Sequence, residues 1–219
     1  MTMASVEAAS LDKDIVMVFE PFGVRAEAIR ALRTHVVAQH LGYGRRALAV
    51  CAASAGVGCS FTAANLAVAM SQVGVNTLLI DANLRQPSLH RLIHPQQPTL
   101  GLSQCLVGEG VGLGEFVERA LLDNLSVMFA GEPSANPQEL VGGAAFQALM
   151  QTCLREYDIT IVDTPPANRY ADARRISAVI GYSLVIARRD VSLVEDVKTL
   201  IGELTVDHAQ VVGTVLNEF

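Results

Sequence analysis

The sequence predicts an α/β fold, in which helices cover both faces of a parallel β-sheet. Three observations support this prediction. Short apolar runs alternate along the chain with longer segments of helical character. The apolar runs show no alternation of polar and apolar residues, so each is expected to be a strand that is buried on both faces. Loops rich in glycine, proline or acidic residues follow several of these runs, which is typical of the ligand-binding edge of a parallel sheet.

The composition favours one well-buried domain. Of the 219 residues, 51% are hydrophobic and 17% are charged, and the net charge is −6. This length is sufficient for a substantial core, and the negative charge argues against nucleic-acid binding. The apolar run at residues 176–187 is too short to span a bilayer, and no secretory signal is evident. We expect a flexible N-terminal segment at residues 1–20 and a single domain at residues 21–219.

The first half of the chain alternates helix and strand. Residues 24–41 carry apolar side chains at helical spacing (Ile29, Leu32 and Val36), which predicts a helix. Residues 46–52 are a short apolar run and predict a buried strand. Residues 60–73 are rich in alanine and predict a helix, which Gly74 is placed to end. Residues 76–81 predict a second strand that ends on a carboxylate.

The second half continues the same pattern. A short helix is predicted near residues 101–107, and a third strand at residues 125–130. An Asn-Pro pair introduces a predicted helix at residues 136–155. Residues 157–163 predict a fourth strand, which also ends on an acid. The remaining predicted elements are strands at 184–187 and 211–216, with a helix at 193–204 between them.

A glycine-rich loop follows the first strand. Residues 53–60 read Ala-Ser-Ala-Gly-Val-Gly-Cys-Ser, which fits the frame of a phosphate-binding loop except that Cys59 stands at the lysine position. In such a loop, successive backbone N–H groups and the start of the following helix hold phosphates. The predicted fold is therefore P-loop NTPase-like, and the expected nucleotide-binding residues are Gly56, Gly58, Cys59, Ser60 and Phe61.

Three oxygen-bearing residues are expected to meet beside this loop. Ser60 occupies the hydroxyl position that coordinates Mg²⁺ in phosphate-binding loops, and Asp163 is placed like the metal-holding carboxylate that ends a neighbouring strand. Asp81 ends the second strand. The carboxyl ends of parallel strands lie at one edge of the sheet, so the sequence predicts a degenerate nucleotide pocket at these residues. Two alternatives stay open: the pocket retains Mg²⁺ with ATP or ADP, or it is vestigial.

Residues 78–87 read Leu-Leu-Ile-Asp-Ala-Asn-Leu-Arg-Gln-Pro. This run resembles L-L-I-D-A-D-L-R-x-P, the second acidic motif of the bacterial tyrosine kinase (BY-kinase) family, which is related to the ParA and MinD ATPases. Residues 162–166 resemble its Walker B run, and residues 186–192 resemble its V-x-R-x-G-x-T segment. Asn217 resembles an asparagine that contacts adenine in related ATPases. The resemblance extends from about residue 20 to 217 and implies a cytoplasmic component of a polysaccharide co-polymerase system.

An upstream segment adds a family motif for assembly. Residues 27–34 match the pattern E-x-x-R-x-x-R through Glu27, Arg30 and Arg33. By resemblance, these side chains contact a neighbouring protomer, and a repeated head-to-tail contact closes a ring. From spacing alone, the alternative is a solvated charged face on an amphipathic helix. The resemblance favours a homo-oligomer.

The chain departs from the family at two chemical positions. Cys59 replaces the lysine whose charge bridges the β- and γ-phosphates. Asn83 replaces the second aspartate of the 78–87 motif, and an amide cannot accept a proton as a general base. Of the expected catalytic residues, only Asp81 keeps its family identity, and the printed sequence carries no C-terminal tyrosine cluster. Cys59 is either a thiol activated by the helix N-terminus or a small, partly buried residue without a redox role.

These observations lead to one leading hypothesis and two alternatives. The leading hypothesis is a catalytically impaired BY-kinase-like protein, a pseudokinase, that acts as an assembly or regulatory subunit in exopolysaccharide or capsule biosynthesis and export. By resemblance, its partner is the cytoplasmic segment of a membrane polysaccharide chain-length regulator, which would place it at the cytoplasmic side of the inner membrane. The alternatives are an active protein-tyrosine autokinase and an accessory ATPase of the ParA/MinD type.

Overall fold

The strand that leads into the glycine-rich loop lies in the interior of a mostly parallel sheet. The computed structural model describes residues 11–95, 100–108 and 112–218. Within these residues, seven strands form one sheet in the order β3-β4-β2-β5-β1-β6-β7. The strands are β1 (Ala47–Ala52), β2 (Thr77–Asp81), β3 (Glu118–Leu122), β4 (Leu125–Met128), β5 (Ile159–Asp163), β6 (Tyr182–Arg188) and β7 (Gln210–Asn217). Among the described strands, the β3–β4 pair alone is antiparallel.

The sheet is covered on both faces, as the unbroken apolar strands require. The helices are α1 (Val16–Phe19), α2 (Val24–Gln39), α3 (Cys59–Ser71), α4 (Leu102–Val107), α5 (Pro137–Gly142), α6 (Ala144–Glu156), α7 (Asp172–Ile180) and α8 (Val194–Val206). Helices α1–α3 pack with Val50 on one face. Helices α4–α8 pack with Cys51 on the other. Neighbouring residues of β1 therefore point into two separate cores, because side chains alternate along a strand.

The predicted fold class and all six predicted strands are confirmed. Strand β1 pairs in parallel with β5 on one side and with β6 on the other. Strand β2 lies between β4 and β5, again in parallel. The carboxyl ends of β1, β2 and β5 consequently meet at one edge of the sheet, where a ligand site is expected.

The structure corrects the sequence prediction at three elements. The helix predicted at residues 136–155 is two helices, because Gly143 is extended (φ −87°, ψ 171°) and separates α5 from α6. Helix α7 was not predicted, although its last turn ends at Gly181 in the left-handed conformation. Strand β3 was also not predicted, since it is an antiparallel edge strand that begins with two charged residues, Glu118 and Arg119.

The N-terminal boundary also moves. Of the segment 1–20 that was expected to be flexible, residues 1–10 lie outside the described residues, and residues 11–20 pack into the domain. Leu11 forms an isolated bridge with Ile93, and Ile15 and Met17 are fully buried. Asn65 of α3 holds the segment in place, since its side chain donates to the Asp14 carbonyl and accepts from the Met17 N–H. Among the described residues, no helix is both long enough and apolar enough to cross a membrane.

Candidate functional site

The glycine-rich loop has the backbone conformation of a phosphate cradle. Gly56 and Gly58 have φ values of 76° and 90°, in the left-handed region that favours glycine. This φ value disfavours a side chain at Gly58, and so does the space around it, because an added Cβ would lie 2.1 Å from the Asn217 side-chain nitrogen. That nitrogen donates to the Val57 carbonyl at 3.0 Å. Asn217, at the end of β7, therefore contacts the loop, and its role toward adenine stays a prediction.

Cys59, at the lysine position, is turned toward the sheet. Its Sγ donates a hydrogen bond to the Val50 carbonyl of β1 at 3.2 Å. Burial raises the pKa of this thiol well above its ordinary value, and the negative charge of Asp163 raises it further. The thiol is therefore neutral at physiological pH. This environment favours the alternative in which Cys59 is a small, partly buried residue without a redox role over the one in which the helix N-terminus activates the thiol.

Ser60 and Asp163 meet as the sequence predicts. The Ser60 hydroxyl donates to Asp163 Oδ2 at 2.5 Å, and the Ser88 hydroxyl lies 2.7 Å from the Ser60 hydroxyl. The second carboxylate oxygen, Asp163 Oδ1, is buried and has no hydrogen-bond partner among the described residues. A buried carboxylate oxygen without a partner is costly unless a ligand completes it.

Asp81 and Asp163 are register partners on the adjacent strands β2 and β5. Burial raises the pKa of Asp163 to about 7, and the charge of Asp81 is the second cause. Burial also raises the pKa of Asp81, although three backbone N–H groups oppose this effect. Those donors are Asn83 at 3.0 Å, Ser88 at 3.0 Å and Leu89 at 3.1 Å.

The donor set fits Mg²⁺. This ion prefers oxygen ligands, keeps several waters and is held by one or two carboxylates together with substrate phosphates. The unpartnered oxygen of Asp163 and the adjoining Ser60 hydroxyl supply such ligands. Asp81 already accepts three hydrogen bonds, so its contribution is negative charge behind them. Across the described residues, no group of three or more His, Cys, Asp or Glu side chains is placed to hold a metal ion.

Asn83 has a structural role in the loop after β2. Its side-chain oxygen accepts the Gln86 N–H at 3.1 Å, which fixes the turn that leads to Ser88. The residue is 9% exposed and lines the same cleft as Ser60. The amide therefore occupies the position that sequence reasoning assigned to the missing acid, and it has no proton-accepting group to offer there.

An ion pair that sequence reasoning missed fixes the same loop. Arg85 donates to both carboxylate oxygens of Asp172, at 2.7 and 3.2 Å, and its guanidinium lies 4.3 Å from the Tyr170 ring centroid. The Asp172 side chain is only 2% exposed. Arg85 stands within the acidic motif, but its partner opens α7, 87 residues further along the chain. No local pattern in the sequence identifies that pairing.

A cleft of about 970 Å³ lies beside the glycine-rich loop. The loop, Ser60, Phe61 and the 83–92 segment form its walls, together with residues that follow β5. The N-terminal segment contributes Asp12 and Asp14, which sequence reasoning also missed because it assigned residues 1–20 to a flexible segment. Their place at the cleft depends on the contacts of Leu11 and Asn65 described above.

The predicted assembly residues lie on α2, and the two arginines form hydrogen bonds within the chain. Arg30 contacts Glu27 at 3.0 Å and donates to the Pro21 carbonyl. Arg33 donates to the Ala69 carbonyl in the last turn of α3 at 3.3 Å. The Glu27 side chain is 76% exposed. Their role between protomers stays a prediction.

The sheet order, the glycine loop with its two left-handed residues, and the Ser60–Asp163 pair define a P-loop NTPase-type domain. The family model ParA, described as NUBPL iron-transfer P-loop NTPase, matches residues 44–217. The chain belongs to this ParA family of P-loop NTPases. This membership carries the general expectation that the family binds nucleotides.

Individual relatives are more specific. The chain is 27% identical to the tyrosine-protein kinase YwqD of Bacillus subtilis, over 99% of this chain and 91% of that protein. It is 30% identical to the tyrosine-protein kinase wzc of Salmonella typhi, over 93% of this chain but only 28% of wzc. The kinase domain of Escherichia coli tyrosine kinase ETK superposes with a TM-score of 0.85 at 28% identity, covering 93% of this chain and 79% of that one. The predicted resemblance to the bacterial tyrosine kinases is confirmed.

Proposed function

We propose that this protein is a catalytically impaired BY-kinase-like subunit that binds Mg-nucleotide and acts in assembly or regulation of exopolysaccharide or capsule biosynthesis and export. The observation that carries this proposal is Cys59, a neutral thiol bonded to the Val50 carbonyl where the family has a phosphate-binding lysine. Phosphoryl transfer depends on positioning and on stabilisation of developing charge. Loss of one preorganised electrostatic group of this kind typically slows catalysis by about 10²–10³-fold.

Nucleotide binding depends on parts that the chain retains. Gly56 and Gly58 give the loop two left-handed residues, as a phosphate-binding loop needs, and the N-terminus of α3 favours an anion. Ser60 and Asp163 would hold Mg²⁺, which supplies positive charge between the phosphates and the carboxylates. Asn83 cannot take up a proton from an incoming hydroxyl. The cleft therefore supports binding more strongly than catalysis.

The proposed biological role is regulated assembly. The partner would be the cytoplasmic segment of a membrane polysaccharide chain-length regulator, which would hold the protein at the inner membrane. Protomers would meet through Glu27, Arg30 and Arg33 of α2, of which Glu27 offers the most exposed side chain. If nucleotide favours the assembled state, assembly must tighten nucleotide binding by the same factor.

Calorimetric titration with Mg-ADP, together with an assay of ATP hydrolysis, tests the site. We expect wild-type protein to bind at about micromolar Kd and to hydrolyse ATP very slowly. Cys59→Lys should raise the hydrolysis rate, and Cys59→Ala, which removes the thiol without adding charge, is the matched control. Absence of binding at millimolar Mg-ADP would contradict the nucleotide-binding part. Wild-type tyrosine phosphorylation that Asp81→Ala abolishes would identify an active autokinase instead.

Sedimentation with and without Mg-ATP, and with the regulator's cytoplasmic segment, tests the assembly role. We expect oligomers that Glu27→Lys weakens, while Glu195→Lys, a charge reversal at an exposed position of α8, leaves them unchanged. A protein that stays monomeric under all these conditions would contradict the assembly role. If Glu27→Lys leaves assembly unchanged but mislocalises the protein in cells, an accessory ATPase of the ParA/MinD type is favoured.

A further inference from the structure

The cleft has an unusual charge balance for a site that would hold phosphates. Among the described residues that line it, the acids are Asp12 and Asp14, and the single cation is Arg91. The carboxylates of Asp81 and Asp163 lie immediately behind this lining. Cys59 contributes no charge. A polyphosphate ligand would therefore meet more negative than positive side chains, and the position of the one cation becomes decisive.

Arg91 is anchored on the metal side of the loop. It ends the short 3₁₀ helix Leu89–Arg91, and its N–H donates to the Ser88 carbonyl at 3.0 Å. Two contacts in turn fix Ser88. Its N–H donates to the Asp81 carboxylate, and its hydroxyl lies beside the Ser60 hydroxyl. The backbone that carries Arg91 is thus tied to the groups that would hold Mg²⁺. In a P-loop site, this is the side on which the terminal phosphate of a triphosphate lies.

The guanidinium of Arg91 is available to a ligand. Its side chain is exposed and makes no hydrogen bond or ion pair with the described part of the chain. The other arginines near the loop are engaged differently. Arg188 donates to the Gly56 carbonyl at 3.1 Å, on the side where Asn217 contacts the loop, and Arg25 pairs with Glu20 at 2.9 Å. Arginine is suited to phosphate because its planar fork can donate two parallel hydrogen bonds.

We propose that Arg91 is the phosphate-binding cation of this cleft and that it contacts the terminal phosphate of Mg-ATP, so that the site prefers the triphosphate over the diphosphate. This inference rests on the nucleotide binding proposed above. In this arrangement the guanidinium of Arg91, in the segment after the acidic motif, takes the place of the lysine charge that the family carries within the loop. The acidic lining adds a second consequence: nucleotide without Mg²⁺ should bind much more weakly than the magnesium complex.

Calorimetry with Mg²⁺ and either ADP or the non-hydrolysable analogue adenylyl imidodiphosphate tests the inference. Arg91→Ala should weaken binding of the triphosphate analogue by about tenfold or more, the range expected for loss of a charge-assisted hydrogen bond. Binding of Mg-ADP should change by less than about threefold. Arg91→Lys should retain an intermediate preference, because it keeps the charge and loses the bidentate geometry. Arg155→Ala, at an exposed arginine of α6, should leave both affinities unchanged.

The outcomes separate this inference from the proposed function. If wild-type protein binds both nucleotides and Arg91→Ala binds them as tightly as wild type, the role of Arg91 is rejected while nucleotide binding stands. An equal loss for both nucleotides would also reject contact with the terminal phosphate. If wild-type protein binds neither nucleotide, both proposals fall. Thermal melting of each variant checks that the fold is intact, and the exposure of Arg91 predicts no change there.

Discussion

Asp81 and Asp163 face each other in register across β2 and β5, and this pairing of two buried acids helps raise the pKa of Asp163 to about 7. One carboxylate oxygen of Asp163 accepts from Ser60, and the other has no partner among the described residues. Repulsion between the two carboxylates therefore destabilises the pair when both acids are ionised. Binding of a proton or a cation removes this repulsion. A Mg²⁺ ion that displaces this proton would connect metal binding to pH.

This pairing predicts the pH dependence of stability. The folded-state pKa of Asp163 lies above its unfolded value, so between those values the native state binds more protons than the unfolded chain. Stability from this group is present at low pH and is lost as pH rises toward and through about 7. Without Mg²⁺, Asp163→Asn should remove about 2 kcal/mol of the difference in unfolding free energy between about pH 5.5 and about pH 8. Urea denaturation of both proteins at each pH measures it.

The comparison of wild type and variant cancels the titration of groups elsewhere, such as Asp207, whose pKa Arg174 lowers. Saturating Mg²⁺ should stabilise wild type more at the higher pH, where Asp163 no longer carries a proton. Equal pH dependence in the two proteins would contradict the shifted pKa of Asp163.

Cys59 should be inert toward alkylation. Its raised pKa leaves almost no thiolate at neutral pH, and the thiolate is the reactive form. The pKa of the Cys59 thiol lies well above about pH 7.5. At that pH, iodoacetamide should therefore label Cys59 in the native protein more slowly than it labels free glutathione. Mass spectrometry of peptides gives the rate, and labelling in urea confirms that the site is detectable. Rapid, selective modification of native Cys59 would restore the activated-thiol alternative.

The contact between Gly58 and Asn217 predicts a specific cost of adding a methyl group. Gly58→Ala should destabilise the fold by more than the roughly 1–2 kcal/mol expected for alanine in a left-handed conformation, because its Cβ also meets the Asn217 nitrogen. Gly44→Ala is the matched control, since Gly44 has φ 74° and no atom within 4 Å of the added Cβ. Denaturant unfolding of both variants gives the difference.

A second substitution separates steric from conformational strain. Asn217→Ala in the Gly58→Ala background should recover the steric part and leave the conformational part, giving a favourable coupling energy in a double-mutant cycle. Additive effects of the two substitutions would show that the Asn217 contact does not limit the loop.

The Arg85–Asp172 pair should matter more than the exposed ion pairs. Asp172→Asn replaces a nearly buried carboxylate by a neutral amide and leaves the Arg85 guanidinium without its charged partner. The substitution should lower the unfolding free energy by about 1–3 kcal/mol. Arg119→Ala removes one member of a pair whose side chains are 59% and 41% exposed, and should cost less than about 1 kcal/mol. Thermal or urea unfolding measures both. A cost for Arg119→Ala equal to that for Asp172→Asn would argue against the stabilising role of the Arg85 contact.

Much of the site was predictable because its parts are local. A strand buried on both faces is an apolar run, so β1, β2 and β5 stand out in the sequence together with the loop and acids that end them. Parallel strands then bring those ends to one edge whatever their order. Ser60 and Asp163 consequently meet as predicted, although 103 residues separate them.

The sequence by itself determined the α/β class, the glycine loop, the acids beside it and the two family residues replaced by Cys59 and Asn83. Tertiary structure decided which groups share the cleft, because it brings Asp12 of the N-terminal segment and Arg91 of the segment after the acidic motif into one lining. It paired Arg85 with Asp172. It also decided that Cys59 is neutral, since that depends on burial and on the nearby Asp163. Strand periodicity and turn chemistry are properties of neighbouring residues. Burial and charge pairing depend on residues far apart in the chain, and only the folded arrangement brings these together.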